Sequence, residues 1–152
     1  MARRRVVITG LGIISPVGNS IDEAWGNILA GRSGIDRITR FDASAFPVQI
    51  AGEVRNFDVS QYIPSKDARR MDTFIHYGMA AGIQAIKDAG LEANPANADR
   101  IGVSIGSGIG GLPLIETTRD EFVAAGVRKI SPFFVPGSII NMISGNLSIM
   151  YG

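Results

Sequence analysis

Apolar residues occur along the chain in two kinds of pattern. Short runs bounded by glycine form the first kind. Val6-Val7-Ile8-Thr9 is β-branched throughout and stops at Gly10, which predicts a buried strand over residues 4–9. Ile101-Gly102-Val103-Ser104-Ile105-Gly106 predicts a second buried strand. Gln49-Ile50-Ala51-Gly52-Glu53-Val54 reads as a short or edge strand.

Helical spacing marks the second kind. After a loop over residues 10–19, Ser20 is placed to cap a helix, with Glu23 at the capping-box position. Ile21, Ala24, Trp25, Ile28 and Leu29 form its stripe, and Gly31 suits the left-handed turn that ends it. A second helix is predicted over residues 72–89, stopped by Gly90. Ile75, Met79, Gly82, Ile83 and Ile86 share one face, and Ala80, Ala81, Ala85 and Ala89 widen it. Small residues on two sides predict a central helix packed closely on its neighbours. A third helix is expected over residues 112–124, ending at Gly126, and a last one from about Ser138 with Ile139, Ile140, Met142, Ile143, Leu147 and Met150. Residues 32–65 are irregular, with Phe41, Phe46, Phe57 and Tyr62 expected to pin a long excursion onto the body.

Strand, loop and helix in succession predict an α/β fold. Two confident strands are few for a parallel sheet. The pattern fits either part of a larger protein or a small α/β domain with further strands.

Composition narrows the chemistry. The 152 residues contain no cysteine and one histidine, His76. Disulfides, a thiolate nucleophile, cysteine-ligated metals and multi-histidine metal sites are therefore outside this chain. His76 has no carboxylate at i+3 or i+4, so it reads as a structural or surface residue. Serines 104, 107, 138 and 144 lack a G-x-S-x-G elbow. No nucleophile–base pair emerges, and no residue of the chain is assigned a catalytic role. Fifteen Lys and Arg against fourteen Asp and Glu give a net charge of +1, which argues against broad nucleic-acid binding. No apolar run is long enough for a membrane span or a convincing signal peptide, which makes a cytoplasmic chain the default.

Gly106-Ser107-Gly108-Ile109-Gly110-Gly111 formally matches the dinucleotide pattern G-x-G-x-x-G. The acidic residue expected about 20 positions later is missing. Tight turning or close backbone packing is the simpler reading of these glycines. Two basic clusters remain, Lys66, Arg69 and Arg70, and Arg128 and Lys129. They are either ordinary solvated charges or a docking patch for an acidic or phosphorylated partner.

Several ordered motifs carry a more specific signal. These are Arg4-Arg5-Val6-Val7-Ile8-Thr9-Gly10-Leu11-Gly12 with Ser15-Pro16-Val17-Gly18, Arg69-Arg70-Met71-Asp72, the turn at 106–111, the segment 128–136 with Ser131-Pro132-Phe133-Phe134-Val135-Pro136, and the stretch 141–152. Together they resemble the elongating β-ketoacyl-acyl-carrier-protein synthases, closest to bacterial synthase II. The resemblance implies a thiolase fold layered α-β-α-β-α, with this chain an incomplete N-terminal half. Residues 1–152 would then be the N-terminal part of the ketosynthase domain, ending before the elbow that carries the family's cysteine nucleophile.

For the whole enzyme the resemblance implies decarboxylative Claisen condensation of acyl and malonyl carrier-protein thioesters in fatty-acid elongation. It implies a homodimer with acyl carrier protein as partner, and neither nucleic acid nor membrane. No tightly bound cofactor is implied, because the partner brings the phosphopantetheine thioester. Ile109 would stand at the wall of the acyl pocket, and Phe134 would reach the other subunit's pocket. Lys66, Arg69, Arg70, Arg128 and Lys129 would dock the carrier protein. A polyketide ketosynthase, a non-catalytic chain-length-factor-like subunit and, less favoured, a nucleotide-binding α/β domain are the alternatives.

Overall fold

The computed structural model describes residues 3–152; Met1 and Ala2, the start of the basic N-terminal run, lie outside the described residues. Among the described residues six α-helices and one two-stranded sheet follow one another as α1 (Ile21–Leu29), β1 (Ile35–Arg37), β2 (Ile50–Gly52), α2 (Ser65–Ala68), α3 (Thr73–Asp88), α4 (Leu112–Ala125), α5 (Phe134–Ser138) and α6 (Met142–Tyr151). The result is an α/β arrangement in which a small open sheet is flanked by helices.

Helix α3 is the organising element, as its small residues predict. On one side Gly10 and Gly12 lie against the α3 backbone, so close that a Cβ on either would strike the carbonyl oxygens of Ala85 and Ala81. The backbone N–H groups of Leu11 and Ile13 donate to Asp88 and Gln84 of α3 at 2.8 and 3.1 Å. On another side Gly78 and Gly82, one helical turn apart, receive Ile143 and Leu147 of α6, also one turn apart. Ile63, Ala68, Ile75, Met79, Ile143 and Leu147 form the buried core. Complete burial of a side chain such as Ile75 or Leu147 stabilises by about 1.5–3 kcal/mol.

Local signals account for the helix ends. The Ser20 Oγ accepts from the Glu23 N–H at 3.3 Å, while the Glu23 carboxylate accepts from the Asn19 N–H at 2.7 Å. Asp72 caps α3, and Gly90 and Gly126 follow α3 and α4 with positive φ. β1 pairs antiparallel with β2, Asp36 opposite Ala51. The predicted edge strand at 49–54 is thus observed as β2, whereas its partner β1 has no clear sequence signature.

Two expectations fail. Residues 4–9 and 101–106 form neither helix nor paired strand among the described residues. Val6 is 93% exposed, and Val7 and Ile8 are also exposed. Their β-branched character favours a strand, but a strand exists only where a neighbour supplies its hydrogen bonds, and none is present here. One rung is replaced: the Ser144 hydroxyl of α6 accepts from the Ile105 N–H at 2.9 Å and lies 3.4 Å from the Ile105 carbonyl oxygen. The last predicted helix starts later than expected, at Met142 rather than near Ser138, because Ile139 is extended, and the short α5 before it has no counterpart among the expected helices.

The stripe on α1 is only partly covered. Ala24 is buried, while Trp25, Ile28 and Leu29 are exposed. The total accessible surface is 11074 Å². A folded monomer of this mass is expected to expose ~7,400 Å². Among the described residues no helix is long and apolar enough to cross a membrane.

Candidate functional site

Three stretches distant in sequence meet where α3 begins. The first carries the basic cluster: Lys66 lies on α2, Arg69 ends that helix, and Arg70 follows; all three are exposed. The second is the glycine-rich turn leading into α4. The third is the segment 131–138 containing α5.

Arg70 joins the first stretch to the third. Its guanidinium lies 4.3 Å from the centre of the Phe133 ring, a cation–π contact. Its only carboxylate partner among the described residues is Asp67, at 4.0 Å and well exposed, which contributes little. Lys66, Arg69, Arg128 and Lys129 have no carboxylate within 4.0 Å among the described residues. Arg128 and Lys129 sit on a short 3-10 turn after α4, exposed.

Asp72 joins all three stretches. It is 7% exposed. Its carboxylate accepts from the Phe74 N–H at 3.4 Å and from the Leu114 N–H, in the first turn of α4, at 2.8 Å. Its own N–H donates to the Gly137 carbonyl at 3.1 Å. Gly111 packs on the Asp72 side chain and donates its N–H to the Ser138 carbonyl at 2.9 Å. Gly110 adopts φ +85°, and the Ser107 Oγ accepts from its N–H at 3.1 Å. The glycines here serve a tight turn and close packing.

That geometry counts against nucleotide binding. A dinucleotide pyrophosphate would use the free N–H groups at the start of the helix after the turn. In α4 the Asp72 carboxylate already takes the Leu114 N–H, and its negative charge would repel a phosphate.

Ile109 projects from the turn at 71% exposure. Phe134 opens α5 and is half-buried. The adjacent Phe133, not Phe134, lines a largely apolar cavity of about 430 Å³ together with Ile63, Met71, Met79, Met142 and Met150. Ile109 is not part of that cavity. The Met-lined groove escaped the sequence reading because its methionines come from three separate segments. His76 is structural: its ring Nε2 donates to the Ala68 carbonyl at 2.9 Å, tying α3 to α2. Among the described residues no group of three or more His, Cys, Asp or Glu side chains is arranged to hold a metal ion.

The family model described as "Beta-ketoacyl synthase, N-terminal domain" matches residues 3–152. The chain belongs to the β-ketoacyl synthase family. Among curated relatives, the 3-oxoacyl-[acyl-carrier-protein] synthase 2 of Vibrio cholerae is 59% identical over 152 residues. The match covers 100% of this chain and 37% of the relative, so the chain spans well under half the length of that enzyme.

Two solved structures share the β-ketoacyl synthase architecture. One is a type II polyketide acyl-carrier protein in complex with its ketosynthase bound to the hexaketide. It aligns with a TM-score of 0.80 at 26% identity, covering 99% of this chain and 39% of the other. The other is the ishigamide ketosynthase/chain length factor, with a TM-score of 0.76 at 30% identity, covering 99% and 37%. The small open sheet with its flanking helices is accordingly a partial thiolase-like fold in a domain closely related to bacterial synthase II.

Proposed function

We propose that this chain is the N-terminal part, ending before the nucleophile elbow, of a cytoplasmic, homodimeric 3-oxoacyl-acyl-carrier-protein synthase of fatty-acid elongation. The reaction joins an acyl thioester to malonyl-carrier protein. A carbon–carbon bond forms at the thioester carbonyl as its carbon–sulfur bond breaks and the acyl donor's thiol is released, carbon dioxide leaves the malonyl group, and 3-oxoacyl-carrier protein results. The observation that carries this reading is the 59% identity to a synthase 2 along the whole chain.

The segment contributes recognition rather than bond-making, since it contains no cysteine for acyl transfer. Lys66, Arg69, Arg70, Arg128 and Lys129 present exposed cations to an acidic carrier protein and its phosphopantetheine phosphate. Ile109 and Phe134 offer apolar surface to the acyl chain, Phe134 across the dimer. The polyketide and chain-length-factor readings draw on the two structural likenesses, but at 26% and 30% identity these are the more distant relatives.

The test is condensation by the full-length protein with purified carrier protein, malonyl-carrier protein and saturated acyl-carrier proteins, read by mass spectrometry. Expected products are 3-oxoacyl thioesters extended by one two-carbon unit. The 152-residue polypeptide alone is expected to form none. Turnover only with polyketide intermediates would move the assignment to a polyketide synthase. No condensation with any substrate would favour the non-catalytic subunit.

A further inference from the structure

The sequence treats the docking cations and the pocket residues as separate features. In the fold they share one junction, and Asp72 occupies it. Two residues before Asp72 is Arg70, the end of the docking segment. The Leu114 N–H that Asp72 accepts belongs to α4, whose start is set by the turn carrying Ile109. The Gly137 carbonyl that receives the Asp72 N–H closes α5, which Phe134 opens. Gly111 and Gly137 leave no space for slack: a Cβ on Gly111 would lie 2.9 Å from the Asp72 Cβ, and one on Gly137 would lie 2.6 Å from the Arg70 carbonyl oxygen.

We propose that Asp72 is a positioning residue that holds the docking segment in register with both acyl-pocket elements, so that carrier recognition and chain-length selection are coupled through its carboxylate. The inference rests on the condensing-enzyme reading for its substrates, but not for its geometry. A buried carboxylate bonded to a backbone N–H is a directional tether, and losing it frees the start of α4 to shift. Movement of a pocket wall by a fraction of an ångström changes which chain length fits.

The experiment compares full-length wild type, Asp72→Ala, Asp72→Asn and Gly111→Ala. Hydrogen exchange is read by mass spectrometry over residues 106–116, with α6 as internal reference. KM for acyl-carrier protein and the kcat/KM ratio for long over short acyl chains are measured in parallel. In Asp72→Ala we expect faster exchange over 106–116 with α6 unchanged, a raised carrier KM, and a chain-length ratio altered by about ten-fold. Asp72→Asn keeps an acceptor for the Leu114 N–H and is expected to recover most of both kinetic effects. Should Asp72→Ala fail to fold, Gly111→Ala, which crowds Asp72 from the other side, is expected to change exchange and chain-length ratio in the same direction. Unchanged exchange over 106–116, or an equal fall in kcat/KM for every chain length, overturns the proposal. Exchange needs no activity, so an inactive wild type would sink the condensing-enzyme reading while the tether is still decided.

Discussion

The guanidinium of Arg70 lies 4.3 Å from the centre of the Phe133 ring. An exposed cation that we propose for carrier docking is therefore held by an aromatic that also lines the methionine-rich cavity. This contact fixes the direction in which its remaining N–H groups face a partner. If the full-length protein is the condensing enzyme proposed above, Arg70→Glu lowers kcat/KM for carrier-bound thioesters at least ten-fold and leaves a small pantetheine thioester almost unaffected. Arg70→Lys keeps the charge but loses the guanidinium contact with the ring, and a two- to five-fold loss is expected, about 0.5–1 kcal/mol. Equal losses on both kinds of substrate would refute docking.

Gly12 has no room for a methyl group, because the Ala81 carbonyl oxygen occupies that space. Gly12→Ala is expected to destabilise the protein by about 3 kcal/mol, since helix backbone cannot yield as a flexible side chain does. Gly26 lies inside α1 with nothing within 4 Å of its Cβ position. Gly26→Ala is expected to stabilise by about 0.5–1 kcal/mol. Urea unfolding midpoints of the two variants should move in opposite directions.

Acid should weaken the irregular region before the rest. The Thr39 hydroxyl, its backbone N–H and the Arg40 N–H all donate to Glu53 and hold its carboxyl below the ordinary 4.5. Asp58 is lowered by the Ser60 hydroxyl and N–H, and Asp42 by the Ser44 N–H. A depressed folded value stabilises at pH above the unfolded value, and that stability is lost as pH falls through the folded one. Wild type should lose its advantage over Glu53→Gln progressively below pH 4.5, measured by urea unfolding across that range. A constant difference would show that Glu53 acts by shape alone.

The surface excess has a consequence for the isolated polypeptide. At 11074 Å² the chain exposes about half as much again as the ~7,400 Å² expected of a compact monomer. Trp25, Ile28, Leu29 and Val6 to Ile8 are among the exposed apolar residues. Prepared alone, the 152-residue polypeptide should self-associate at micromolar concentration in sedimentation experiments. A clean monomer would contradict this.

Features decided within one turn of chain were legible in the sequence. Ser20 with Glu23, the stop at Gly90 and the glycine after α4 are local hydrogen-bonding or backbone-conformation events. The central place of α3 was readable because its small residues occupy two faces. The pairing of residues 4–9 and 101–106 was not, because Val6 and Ile105 carry strand propensity while pairing depends on what lies alongside. Asp72 was visible as the start of a helix and as the last residue of the Arg69-Arg70-Met71-Asp72 motif. Its second partner, Leu114, is 42 residues away, and no local pattern announces such a bond. Helix α5 was hidden for another reason: Pro136 and Gly137 read as helix breakers, yet they fit inside a single short turn of helix.

The Ser144 hydroxyl on the backbone of Ile105 gives that segment a handedness of access. In an extended chain the N–H and carbonyl of one residue point the same way, and those of its neighbours point the opposite way. Helix α6 has claimed the side that Ile105 presents. A strand arriving along that side would have to displace the Ser144 hydroxyl to reach the Ile105 N–H, so one side chain of a helix competes with a sheet for a rung.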